Sequence, residues 1–110
     1  MPDPQPIRIL VLAAPGAPGA AALLSRARAE HVAAGRPLEL LLSGPGLAWA
    51  GDTSLSRLAA LPGVSVGLCS RSARDRGVVP DSLPPWIRWT SLVAFLTALG
   101  PDAELWGILP

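Results

Sequence analysis

Lysine and tyrosine are absent from this chain, and cysteine, histidine, phenylalanine and methionine occur once each. Without lysine there is no Schiff-base chemistry through a side-chain amine and no lysine-bearing phosphate loop. A single cysteine forms no internal disulfide, so nothing here calls for an oxidising compartment. One cysteine and one histidine are also too few donors for a zinc site, and a thioredoxin-type cycle lacks its second thiol. Charge is sparse: 15% of residues, with a net value of +1. That balance is too even for electrostatic capture of nucleic acid or of an anionic membrane. The longer apolar runs, such as Ile9 to Ala14, fall far short of the roughly 20 residues that span a bilayer. The opening Met-Pro-Asp-Pro-Gln-Pro places no positive region ahead of an apolar stretch and reads as a poor signal peptide. The expectation is a cytoplasmic protein that needs no metal and no organic cofactor.

Half of the 110 residues are hydrophobic, enough for one compact domain and too few for two. Residues 1–6 read as a loose proline-rich tail and 7–110 as the domain. Ile7 to Ala13 is a nearly continuous apolar run, as strands covered on both faces are. Pro15-Gly-Ala-Pro-Gly19 breaks it. Ala20 to Gly35 follows as a helix whose apolar face takes in Leu23, Leu24, Ala27 and Val32, with His31 on the solvated side near its end. Pro37 to Ser43 predicts a second strand, and Leu47 onward a loop leading to a helix capped by Asp52, Thr53 or Ser54. Val64 to Leu68 predicts a third strand, Ser70 to Arg76 a short helix, and Trp86 to Trp89 a fourth strand. A helix from Thr90 or Ser91 to Leu99, ended by Gly100-Pro101, leads to a last strand over Ala103 to Leu109. Strands alternating with helices across Gly/Pro breaks predict a mostly parallel five-stranded sheet between helical layers, a three-layer α/β/α sandwich. Right-handed crossovers put all strand carboxyl ends on one edge, where sites form in such sheets.

Cys69 stands at that edge, in Val64-Ser-Val-Gly-Leu-Cys69-Ser-Arg-Ser-Ala-Arg-Asp-Arg-Gly77. Free cysteine commonly packs as a small hydrophobe, which is the plain alternative to a reactive role. Three local features favour reactivity. The residue ends the alternation of Val64, Val66 and Leu68, the amides from Ser70 onward begin a helix, and Arg71, Arg74 and Arg76 bring positive charge. Such settings lower a thiol pKa from about 8.5 toward roughly 3.5–7.5. A cysteine hydrolase would need a histidine at hand, and His31 belongs to the far end of the first helix. What remains needs only a nucleophile: accepting sulfur as a persulfide, oxidation as a sensor, or a mixed disulfide with a partner.

The chain from Ile7 to Leu109 resembles the DsrE/DsrF family of small sulfur-relay proteins, which includes TusD-like members. The resemblance is carried by the apolar first strand, the alanine-rich helix ending near Gly35 and the Leu-Leu-Leu-Ser-Gly strand exit. Its most specific part is the Val66-Gly-Leu-Cys69-Ser-Arg-Ser-Ala-Arg-Asp-Arg-Gly77 segment. It implies a three-layer α/β/α fold, homo- or hetero-oligomers, and persulfide sulfur carried on a cysteine at the strand-to-helix junction, the position of Cys69. Ser70, Arg71 and Arg74 are then expected to steady the thiolate and persulfide, with donor and acceptor proteins as partners. The chain has Leu105 to Pro110 where some members carry a second cysteine, which points to partner-dependent transfer. The alternatives are a non-catalytic assembly or small-ligand-binding protein of the same fold, and a thiol redox sensor.

Gly16 and Gly19 open a helix after a strand, as anion-binding loops do, but without a Gly-x-Gly-x-x-Gly pattern and with two prolines that remove donors. A plain turn is the simpler reading. Trp49 lies in a segment expected to approach the Cys69 edge, as pocket wall or core filler. Trp86 and Trp89, an odd number of residues apart, would point to opposite faces of one strand.

Overall fold

The computed structural model describes residues 4–98, 100 and 103–110. Five parallel strands form one sheet in the order β4-β3-β2-β1-β5: β1 (Ile7–Val11), β2 (Leu38–Leu42), β3 (Val64–Cys69), β4 (Ile87–Thr90) and β5 (Glu104–Ile108). The connections run through α1 (Ala20–Ala34), α2 (Thr53–Ala59), α3 (Ser70–Asp75) and α4 (Leu92–Thr97). This is the α/β sandwich expected from the alternating pattern. The helix end expected at Leu99 and Pro101 and residues 1–3 of the expected tail lie outside the described residues. Within that tail, Gln5 O accepts from Arg36 Nε at 3.0 Å and Pro6 O accepts from the Glu104 amide at 3.4 Å.

Strand order and handedness decide which helix lies where. From β1 through β4 the chain steps always in one direction across the sheet, so right-handed crossovers stack α1, α2 and α3 on one face. The step from β4 to β5 returns across the whole sheet, and α4 therefore lies on the other face. The packing agrees. Ile7, Ile9, Val11, Leu38, Leu40, Leu42, Val66, Leu68 and Ile108 share one core with Leu24, Ala27, Leu55, Leu58 and Ala73 of the first three helices. On the opposite face a small cluster joins Leu41 and Cys69 to Phe95 of α4, with Leu10 and Leu92 against it. That second layer is thin, and Arg8 and Glu39 of the same face pair with each other beside it.

Several elements differ from expectation. Val32 is 69% exposed: the inward stripe of α1 is Ala20, Leu24 and Ala27, which continues at i+4 to position 31 rather than 32. His31 accordingly is half-buried, its Nδ1 2.7 Å from Arg36 O, so that nitrogen carries the proton. The expected loop after β2 is an eight-residue 3₁₀ segment, Gly44–Gly51. Gly46 permits it: a Cβ there would stand 2.0 Å from Val11 O, so only glycine lets this backbone lie against the end of β1. Trp86 precedes β4 in a turn, so strand parity does not govern it. Trp86 and Trp89 both lie half-buried against the larger core.

Candidate functional site

Cys69 ends β3 at the carboxyl edge of the sheet, buried beside Leu41 and Phe95. β3 turns into α3 on one face of the sheet, while β4, its neighbour, turns through Ser91 into α4 on the other. Adjacent strands whose exits diverge in this way open a crevice between them, the usual place for sites in open α/β sheets. Cys69 pairs in register with Thr90. On its other side β2 runs parallel with Leu42 opposite Leu68, which carries Ser43 next to Cys69.

Ser43 is the buried polar side chain of the described core, 8% exposed. Its hydroxyl lies 3.1 Å from that of Ser72, on the first turn of α3, and Ser72 Oγ accepts from the Gly44 amide at 3.0 Å. The proton count follows. One of the two hydroxyl protons makes the Ser43–Ser72 bond, and the other is left free to point at the sulfur. Burial alone would push the Cys69 thiol up. The Ser72 amide, the Ser72 and Ser43 hydroxyls with one free proton between them, and the Leu92 amide more than offset it, so the pKa falls below the ordinary thiol value. The thiol is also only 5% exposed, with Leu41 and Phe95 against it.

The residues singled out from the sequence are distributed unevenly around this site. Ser70 follows Cys69 directly as the first residue of α3 and is half-buried. Arg71 and Arg74 are exposed, and the groups that lower the Cys69 pKa are hydroxyls and amides, not guanidinium groups. Gly16 and Gly19 lie in the turn after β1, where the Ala17 and Ala20 amides already donate to Ala14 O and Ala17 O. Trp49 is 3% exposed and donates from Nε1 to Ala13 O at 2.8 Å, fastening the 3₁₀ segment to the end of β1 on the α1 side. Ser43 and Ser72 were not singled out, although a signal existed. Aligning Leu38–Leu42 with Val64–Leu68 as neighbouring parallel strands brings Ser43 beside Cys69, and Ser72 stands at the third helical position, whose amide faces a cap residue. Among the described residues no three His, Cys, Asp or Glu side chains gather as a metal site, and no helix is long and apolar enough to cross a membrane.

No protein-family model and no curated protein matches the sequence. Solved structures do match by shape. The ychN protein from E. coli superposes with a TM-score of 0.75 at 20% identity, over 94% of this chain and 99% of that one. The protein of unknown function MTH1491 from Methanobacterium thermoautotrophicum gives 0.58 at 18% identity, over 84% and 89%. At such identities the likeness is one of fold, and it agrees with the five-stranded α/β/α architecture expected from the sequence: this chain has the ychN fold over nearly its whole length.

Proposed function

We propose that the protein is a DsrE-like sulfur carrier, in which Cys69 takes sulfane sulfur from a donor protein and passes it to an acceptor. The observation that supports this is the bonded Ser43–Ser72 pair beside Cys69 at the carboxyl edge of the sheet, with a thiol pKa lowered in spite of burial. In the loading step the Cys69 thiolate attacks the terminal sulfur of a donor persulfide. The new S–S bond forms as the donor's S–S bond breaks, and the donor leaves as a thiolate, with no net oxidation. In the discharge step an acceptor thiolate attacks the outer sulfur and Cys69 leaves as thiolate, stabilised by the same Ser43 and Ser72 hydroxyls. Arg71 and Arg74, exposed on α3, lend positive charge to the approach of the anionic persulfide. As in the family it resembles, the chain would work within a homo- or hetero-oligomer.

Incubation with a cysteine desulfurase and cysteine is expected to add one sulfur by intact-mass analysis, and Cys69→Ser to abolish it. Absence of the adduct while the donor turns over refutes the proposal. A second reading, a non-catalytic assembly or ligand-binding protein, is favoured by the 5% exposure of Cys69. It predicts slow alkylation across the pH range and no loss of assembly in Cys69→Ser.

A further inference from the structure

A well-formed cavity lies away from Cys69. It lies between α1, α2 and the 3₁₀ segment, holds about 400 Å³, and is lined by no residue of β3, α3 or α4. That volume is within the range of small-ligand pockets. Its floor is apolar and rigid: Leu24 and Leu58 are core residues, and the Trp49 ring is fixed by its Nε1 bond to Ala13 O. Ala21, on the first turn of α1, adds a small exposed side chain to the lining.

Polar groups ring that floor. Arg28 reaches it from α1 and Arg57 from α2, and neither forms an ion pair among the described residues, whereas Arg8 and Arg36 both do. Ser25 and Ser54 add two hydroxyls that make no hydrogen bond within the described residues. The lone carboxylate of the lining, Asp52, is engaged through Oδ1 by the Leu55 amide as the cap of α2. Two guanidinium groups against one carboxylate leave the lining with a single uncompensated positive charge. An apolar floor, an aromatic wall and one excess positive charge at the rim together select for an amphipathic monoanion.

We propose that this cavity is a binding site for a small organic monoanion, with its apolar body on Trp49, Leu24 and Leu58 and its acidic group held by Arg28 and Arg57. The site is independent of the persulfide reading, because it uses none of the residues around Cys69. Anilinonaphthalene sulfonate serves as the probe, and the uncharged N-phenylnaphthylamine as its control. The sulfonate is expected to bind the folded protein at one site, with amide shift changes confined to α1, α2 and residues 44–52. Arg57→Gln and Arg28→Gln are each expected to weaken it roughly fivefold to tenfold, since the charge-assisted bonds are partly exposed to solvent. Neither substitution should alter binding of the neutral control. Ala21→Phe, which adds a ring to the lining, should sharply weaken binding of both, and Cys69→Ser should change nothing. Sulfonate affinity unmoved by both arginine substitutions overturns the proposal, as do shift changes mapping to the α4 face. Both arginines are exposed, so loss of fold, checked by circular dichroism, does not obscure the result.

Discussion

Replacing Ser72 by alanine isolates the feature on which the chemistry of Cys69 rests. The substitution removes the acceptor of the Gly44 amide at 3.0 Å and the partner of the Ser43 hydroxyl at 3.1 Å, and takes away one hydroxyl facing the sulfur. A net hydrogen bond is worth about 0.5–1.5 kcal/mol, and a buried donor left without a partner costs about 1–3 kcal/mol. Gly44 and Ser72 are half-buried, so water restores part of the loss, and the expected destabilisation is about 1–2 kcal/mol. For a domain of this size that lowers Tm by roughly 5–15 °C. The decisive readout is alkylation of Cys69 by iodoacetamide against pH. The wild-type rate should titrate with a midpoint below that of a free cysteine under the same conditions, and Ser72→Ala should move that midpoint upward. Ser43→Ala should act in the same direction. The double variant should show less than the sum, because the two hydroxyls share one proton chain. Arg71→Gln and Arg74→Gln, on the exposed side of the same helix, should leave the midpoint in place. A midpoint that ignores both serines and follows the arginines would refute this account of the thiol.

Gly46→Ala places a methyl group 2.0 Å from Val11 O and 2.8 Å from Val11 C, backbone atoms that cannot swing aside. A loss of about 3 kcal/mol is expected, at the upper end of ordinary overpacking, and urea denaturation would measure it. Gly16→Ala, where a Cβ meets nothing within 4 Å, is the matched control. Ionisation of Cys69 also ties stability to pH. Its folded-state pKa is lowered below the unfolded-chain value, so its contribution is absent below the folded value, grows as pH rises toward the unfolded value and is complete above it. Wild type minus Cys69→Ser, followed by thermal melts, should therefore rise through that window, and a flat difference would contradict a lowered pKa.

The alternation of apolar runs with Gly/Pro breaks was enough to read five strands and their helices, because buried parallel strands leave continuous apolar runs. The third strand and the cap at Asp52 were legible for the same local reasons: alternation in one case, a side-chain oxygen before a helix in the other. What local pattern does not carry is the partner across the sheet. Ser43 is 26 positions before Cys69 and reaches it only through strand register. The arginines, conspicuous in sequence, are adjacent along the chain yet turned toward solvent, since a helix that buries Ala73 presents Arg71 and Arg74 elsewhere. Val32 failed for a simpler reason, a stripe extended by eight residues where seven keeps the face.

Burial and a lowered pKa look opposed at Cys69, and the topology explains how both hold. Because only the β4–β5 connection returns across the sheet, the face bearing Cys69 is roofed by a helix of six residues rather than by three helices. Phe95 is the buried residue of that helix, and burying one phenylalanine contributes about 1.5–3 kcal/mol. The roof over the sulfur is thus the most weakly packed layer of the fold, and weakly packed elements open locally at low cost. Beneath it the Ser43 and Ser72 donors come from elsewhere, from the end of β2 and the first turn of α3, both adjoining the larger core, and the Leu92 amide alone belongs to the roof. The thiolate is therefore stabilised mainly from the β2 and α3 side and screened from solvent by the thin α4 layer, so opening the screen exposes the sulfur at the loss of the Leu92 amide while the Ser43 and Ser72 groups stay in place.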